Sequence, residues 1–136
     1  MHLLATLSLA AAAFAGAPDP SPHGTARAER DLTRYAMAAC LAAQDEPMLQ
    51  EQGRRWAAGL LERGHGPIEE WTRVAEAAAA ELARSGVGLG KPDGPSSPSI
   101  PIPLMTCGHI ADAPSVRAAI DTAAKALALD YAAGAE

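Results

Sequence analysis

The chain is short of aromatic residues, with one phenylalanine, two tryptophans and two tyrosines in 136 positions. Alanine occupies about a quarter of the sequence instead. A core with so few rings is thin, and its helices must pack with their backbones close together. Basic residues are also scarce: eleven Lys and Arg stand against sixteen Asp and Glu, a formal net charge of −5. No basic stripe exists to neutralise phosphates, which excludes nucleic acid as the expected partner. A mildly acidic surface suits encounter with a basic protein. Beyond Phe14 no apolar run approaches the roughly 18 residues of a membrane span, so no membrane partner is expected for the mature chain.

The motifs of catalysis are missing as well. No G-x-S-x-G elbow occurs, and no thiol is left for a Cys–His pair if both cysteines are bridged. His2 lies in the N-terminal apolar segment, His23 in the residues after it, and His65 in a turn between glycines. His109 makes C-x-H with Cys107, but two ligands do not complete a zinc site. Gly86, Gly88 and Gly90 with Lys91 have the look of a phosphate cradle. They follow a helix rather than a strand, and no Ser or Thr succeeds the lysine. The acidic pairs Asp45/Glu46 and Glu69/Glu70 stand where helix starts explain them. No catalytic, cofactor-binding or metal-binding residue is expected, and the chain does not read as an enzyme.

What is present begins with MHLLATLSLAAAAFAGA. Its apolar run has the length of a signal-peptide core, and Ala13, Phe14 and Ala15 fit the A-x-A cleavage pattern, although no Lys or Arg follows Met1. Residues 1–15 are therefore expected to be a signal peptide and 16–25, with Pro20, Pro22 and Gly24, a disordered leader. The helical domain follows at 26–130. Export to an oxidising compartment favours a bridge between Cys40 and Cys107, two buried thiols being the alternative. Closing a loop of roughly 70 residues would stabilise by about 4 kcal/mol on the chain-entropy model.

The helices are punctuated clearly. Thr25 can cap a first helix reaching about Ala43, with Leu32, Ala36, Ala39, Cys40 and Ala43 on one face. Asp45, Glu46 and Pro47 open a second, which runs to Arg63 with Leu49, Trp56 and Leu60 inward. Gly53 and Gly59 within it point to close approach of a neighbouring helix, and Gly64 ends it. Pro67 starts a third, with Ile68, Trp71, Ala75, Ala78 and Leu82 inside, and Gly86 stops it. LMTCGHIAD forms a turn or two. Asp112 or Ser115 then caps a last helix to about Leu129, with Val116, Ala119 or Ile120, Ala123 and Leu127 inward. The fold class is all-α, a single small domain of four to five helices tied by one disulfide.

Between the third and fourth helical regions lies GVGLGKPDGPSSPSIPIP, residues 86–103, a stretch with almost nothing to form a helix or strand. Loops of this length without secondary structure are usually functional or disordered. One reading is a solvent-exposed linker. The other rests on Ile100 and Ile102 alternating with Pro101 and Pro103, a stiff strip that presents apolar side chains at low ordering cost. On that reading Lys91, Asp93, Ser96, Ser97, Ser99, Ile100 and Ile102 are the partner contacts, with the isoleucines as anchors.

Tyr35 and Ala36 ahead of Cys40 make the pattern YA-x3-C in the first helix. Gly59 and Gly64 then mark a small-residue helix end, Glu69 opens the next helix, and Leu104, Met105, Thr106 and Cys107 begin the last region. On these residues the chain, from about Leu32 to Leu129, resembles the periplasmic immunity proteins of type VI secretion amidase effectors. The resemblance implies a disulfide-bonded helical domain, commonly a homodimer, in which Cys40 and Cys107 match the family bridge. It further implies a partner, a peptidoglycan-cleaving cysteine amidase, whose active-site groove is occluded partly by the loop before the second cysteine, here 86–103. This loop is longer and richer in proline than the family pattern, Leu60 stands where an aromatic is common, and Gly108 replaces an acidic residue. A helical, chaperone-like periplasmic binding module is the rival reading.

Overall fold

The computed structural model describes residues 22–134. The expected signal peptide at 1–15, and the leader as far as residue 21, lie outside the described residues. Five helices follow one another: α1 (Pro22–Ala42), α2 (Pro47–Arg63), α3 (Ile68–Ser85), α4 (Pro103–Asp112) and α5 (Pro114–Ala133). Two very short strands, β1 (Leu89–Gly90) and β2 (Ile100–Pro101), interrupt the chain between α3 and α4. The all-α class and the helix number agree with the sequence reading.

The bundle is organised around α1, which packs against all four other helices. That is why its apolar residues do not form one stripe. Ala28, Leu32, Tyr35, Ala36, Ala38, Cys40 and Leu41 are all buried, as expected of a helix surrounded by others. Ala43, placed inward by its spacing, is exposed because α1 has already ended. Tyr35 meets Trp71 edge-to-face with ring centroids 5.3 Å apart, a favoured aromatic geometry. Gly53 is the point of closest approach between α2 and α1. A Cβ there would meet the Ala42 nitrogen and would lie 2.7 Å from the Ala38 carbonyl oxygen. Gly59 has no such role, since its Cβ would touch only Arg63 Nη1 at 3.5 Å.

Cys40 and Cys107 stand at disulfide distance with their Cα atoms 5.5 Å apart, tying α1 to α4 across 67 residues. Among the described residues the buried polar side chains are Gln44 and Thr106, both beside this bridge. Gln44 Nε2 donates to the Cys40 carbonyl at 3.2 Å and to Cys107 Sγ at 3.5 Å. The amide thus gives this end-of-helix carbonyl a second donor beside the Ala43 N–H, which reaches it at 3.2 Å.

Several boundaries differ from expectation. α1 starts at Pro22 rather than at Thr25, so the last residues of the expected leader are helical. Proline is preorganised for the first helical turn, and Gly24 is pressed against the Ala128 carbonyl of α5, where a Cβ would lie 2.7 Å away. The α3 inner face comprises Trp71, Val74 and Ala78, with Ala75 and Leu82 packed partly buried against the core, while Ile68 is 52% exposed. Ile68 is the first residue of the helix, before α3 has reached its packing partners. LMTCGHIAD belongs to a ten-residue helix opened by Pro103. Its Leu104 is exposed although Cys107 is buried. Neither Asp112 nor Ser115 caps α5. Ala113 holds that position without a side-chain bond, and Pro114 opens the helix. α5 runs past Leu129 to Ala133 because Tyr131 is buried and anchored: its hydroxyl donates to Asp31 Oδ2 at 3.0 Å.

Candidate binding surface

The 86–103 segment is a small hairpin. Leu89 pairs with Pro101 and Gly90 with Ile100 in an antiparallel register. Strands this short leave almost no signal in a sequence, and Pro101 has no N–H to give a ladder. The hairpin holds because its foot and its tip are bonded separately. At the foot, the Ile102 N–H donates to the Gly88 carbonyl at 3.0 Å. Thr106 Oγ1 accepts the Gly88 N–H at 2.9 Å and donates to the Ile102 carbonyl at 2.9 Å. One buried hydroxyl therefore ties both legs to the first turns of α4, next to the bridged Cys107.

At the tip, two turns follow in succession. The Gly94 N–H donates to the Lys91 carbonyl at 3.2 Å, and the Ser97 N–H to the Gly94 carbonyl at 3.1 Å. Ser97 Oγ donates to that same carbonyl at 2.6 Å, and Lys91 Nζ reaches the Pro95 carbonyl at 3.0 Å. Gly94 takes a left-handed φ of 105°, a conformation that strongly favours glycine. Lys91 is thus folded over the tip and Ser97 is bonded within it, whereas Asp93, Ser96 and Ser99 are exposed.

The two isoleucines have different roles. Ile100 is 46% exposed. Ile102 is half-buried, and a Cβ on Gly90 would lie 3.0 Å from its Cγ2. Glycines 88 and 90 make room for Ile102 beneath the hairpin, so of the two only Ile100 is placed as an outward anchor. Sequence alternation put both on one strip but could not say which was turned inward. Around the hairpin several large apolar side chains are exposed, including Leu89 at 65%, Leu104 at 62% and Met105 at 57%. Singly they would need no explanation; here they occur on the hairpin and the first turn of α4 that follows it.

The rest of the molecule offers little chemistry. His65 packs edge-to-face on Tyr131 at 5.0 Å, its carbonyl accepts from Trp71 Nε1 at 3.3 Å, and His109 is exposed. Among the described residues no group of three or more His, Cys, Asp or Glu could hold a metal ion. No helix among them is long and apolar enough to cross a membrane. Burial and the Asp31 carboxylate push the Tyr131 hydroxyl well above the ordinary tyrosine range. The Arg84 guanidinium holds Glu81 below the usual carboxylate value, and Ser115 Oγ donates to the same carboxylate at 3.1 Å. The first shift belongs to a contact between α5 and α1, the second chiefly to an i,i+3 pair within α3.

No family model, curated protein or solved structure matches this chain. The functional reading therefore stands on the residues and their placement.

Proposed function

We propose that this protein is a non-catalytic inhibitor: a homodimeric periplasmic immunity protein that occludes the active-site cleft of a peptidoglycan-cleaving type VI secretion amidase. The observation that carries the proposal is the hairpin itself, a protrusion preorganised by its own bonds and rooted through Thr106 beside the Cys40–Cys107 bridge. A plug must enter a cleft without collapsing, and prior rigidity lowers the ordering cost of binding. Ile100 and Leu89 supply exposed apolar contact. Asp93, Ser96 and Ser99 supply polar groups at the tip, which set register.

The test is calorimetric titration of the oxidised chain, residues 16–136, against the amidase encoded beside it, with amidase turnover followed in parallel. Binding with a Kd on the order of nanomolar and loss of turnover are expected, in the range of tight protease–inhibitor pairs. Replacing residues 91–99 by Gly-Gly should weaken binding at least about 100-fold, as loss of a central anchor does, with helicity by circular dichroism unchanged. Undiminished turnover at saturating concentrations of the intact chain would sink the proposal.

A second reading, a chaperone-like helical binding module, is favoured by one observation. A shallow groove of about 480 Å³ runs over α1 between α2 and α3, lined by alanines with Tyr35 and Leu61. A module that holds clients there would bind equally well without residues 91–99.

A further inference from the structure

The hairpin has two faces, and the proposal above uses its tip. Gly88 and Gly90 turn toward Ile102, and Gly88 toward Thr106 as well. On the other face Val87, Pro101 and Pro103 form one wall of a groove of about 280 Å³, whose opposite wall is Leu49 in the first turn of α2. Leu89, paired in register with Pro101, extends this wall outward. Met48, next to Leu49, is 65% exposed. At about 280 Å³ the groove has room for one or two side chains of a protein partner.

Among the described residues, its only charged lining groups are Asp45 and Glu46. Glu46 is held in place, its two carboxylate oxygens accepting the Met48 and Leu49 N–H groups at 3.1 and 2.8 Å. Asp45 is exposed and makes no ion pair among the described residues. An apolar floor with an unpaired carboxylate at its rim, on a chain of net charge −5, is complementary to an apolar side chain with a lysine or arginine beside it. The same charge disfavours phosphate-bearing partners, whether nucleic acid or anionic lipid.

We infer that this groove is a second docking surface, which receives a cationic, apolar segment of the protein whose cleft the hairpin tip enters. The inference rests on the inhibitor reading. It makes the hairpin a wedge gripped on both sides: tip in the cleft, outer face against a basic rim. Rim charges act chiefly on association rate and salt dependence.

The experiment measures association and dissociation of the oxidised chain with the amidase encoded beside it, at low and physiological salt. Asp45→Lys should slow association about tenfold and flatten its salt dependence. Leu89→Glu should weaken affinity about tenfold or more through the apolar wall. Both positions are exposed, and unchanged thermal melting of each variant checks the fold. Rates within twofold of wild type for both variants, alongside lost binding on replacement of 91–99, would overturn this inference and leave the inhibitor reading standing. Failure of the unaltered chain to bind would overturn both.

Discussion

Glycines 64, 66 and 134 at one end of the bundle and glycines 86 and 94 at the other are used in opposite ways. At the end where the α2–α3 turn meets the last turn of α5, they are surrounded. A Cβ on Gly66 would meet Leu127 Cδ2 and lie 2.8 Å from Asp130 Oδ2, one on Gly64 would lie 2.8 Å from Trp71 Cη2, and one on Gly134 would meet the His65 ring. At the hairpin end, Cβ atoms on Gly86 and Gly94 would meet nothing within 4 Å. There the φ angles of 70° and 105° alone call for glycine. The first group uses the missing side chain for room and the second for backbone direction, while Gly88 and Gly90 beneath the hairpin again make room, for Ile102. Stability is concentrated where space is filled, and presentation where the chain is shaped but left uncovered.

The largest expected effect comes from the bridge that joins the hairpin end to α1. Replacing Cys40 and Cys107 together by alanine should cost about 4 kcal/mol in urea unfolding of the oxidised chain, on the chain-entropy model. The loss should be uneven. Amides at Gly88, Ile102 and Thr106 should lose exchange protection by local opening, while those of Leu32 and Leu127 should still exchange only through global unfolding. Equal loss at both ends would break the comparison.

A pair of substitutions sharpens it. Gly66→Ala combines a φ of 83° with the contacts to Leu127 and Asp130, and should cost about 3 kcal/mol from strain and overpacking together. Gly94→Ala carries the strain alone and should cost about 1 kcal/mol. Denaturant midpoints of the two variants decide the matter, and equal losses would show that packing around Gly66 is no tighter than around Gly94.

The same division explains what could be read from the sequence. Helices announce themselves by punctuation: Pro47, Pro103 and Pro114 each stand at the start of one, Glu46 caps α2, and Gly86 ends α3. The pairing of Cys40 with Cys107 followed from their number and from the expectation of export. Interior neighbours were harder. The spacing from Val116 through Ile120 and Leu127 continues to Tyr131 at i+4, a signal that was present and would have extended α5 by a turn. Val74 joins Ala75 on the inner face of α3 and is the more deeply buried of the two, because spacing leaves a residue's rotation uncertain by one position. The hairpin was not legible, since its register rests on Thr106, a side chain beyond the loop. The groove at Leu49 and Val87 joins elements far apart in sequence, and no local pattern encodes it.

The smallest effect probes the filled end through pH. Burial first, then the Asp31 charge and the hydrogen bond to it, raise the Tyr131 hydroxyl above its ordinary value, and burial does the same for Tyr35. In the unfolded chain these groups lose their protons near pH 10, while the folded chain retains them. Above that pH the unfolded state therefore binds fewer protons, and stability falls as pH rises. The stabilisation is fully present below about pH 10 and disappears as pH climbs through the folded values. Tyr131→Phe removes one of the two groups and the bond to Asp31. At pH 8 it should lower stability by about 1 kcal/mol, the modest value of a hydrogen bond whose acceptor is partly exposed. Between pH 9 and 11 its melting temperature should fall less steeply than that of the parent, with Tyr35 responsible for the remaining slope. Parallel melting curves for the two proteins across that range would mean that Tyr131 ionises as readily in the fold as outside it. The end of the bundle read here as filled would then be open to water.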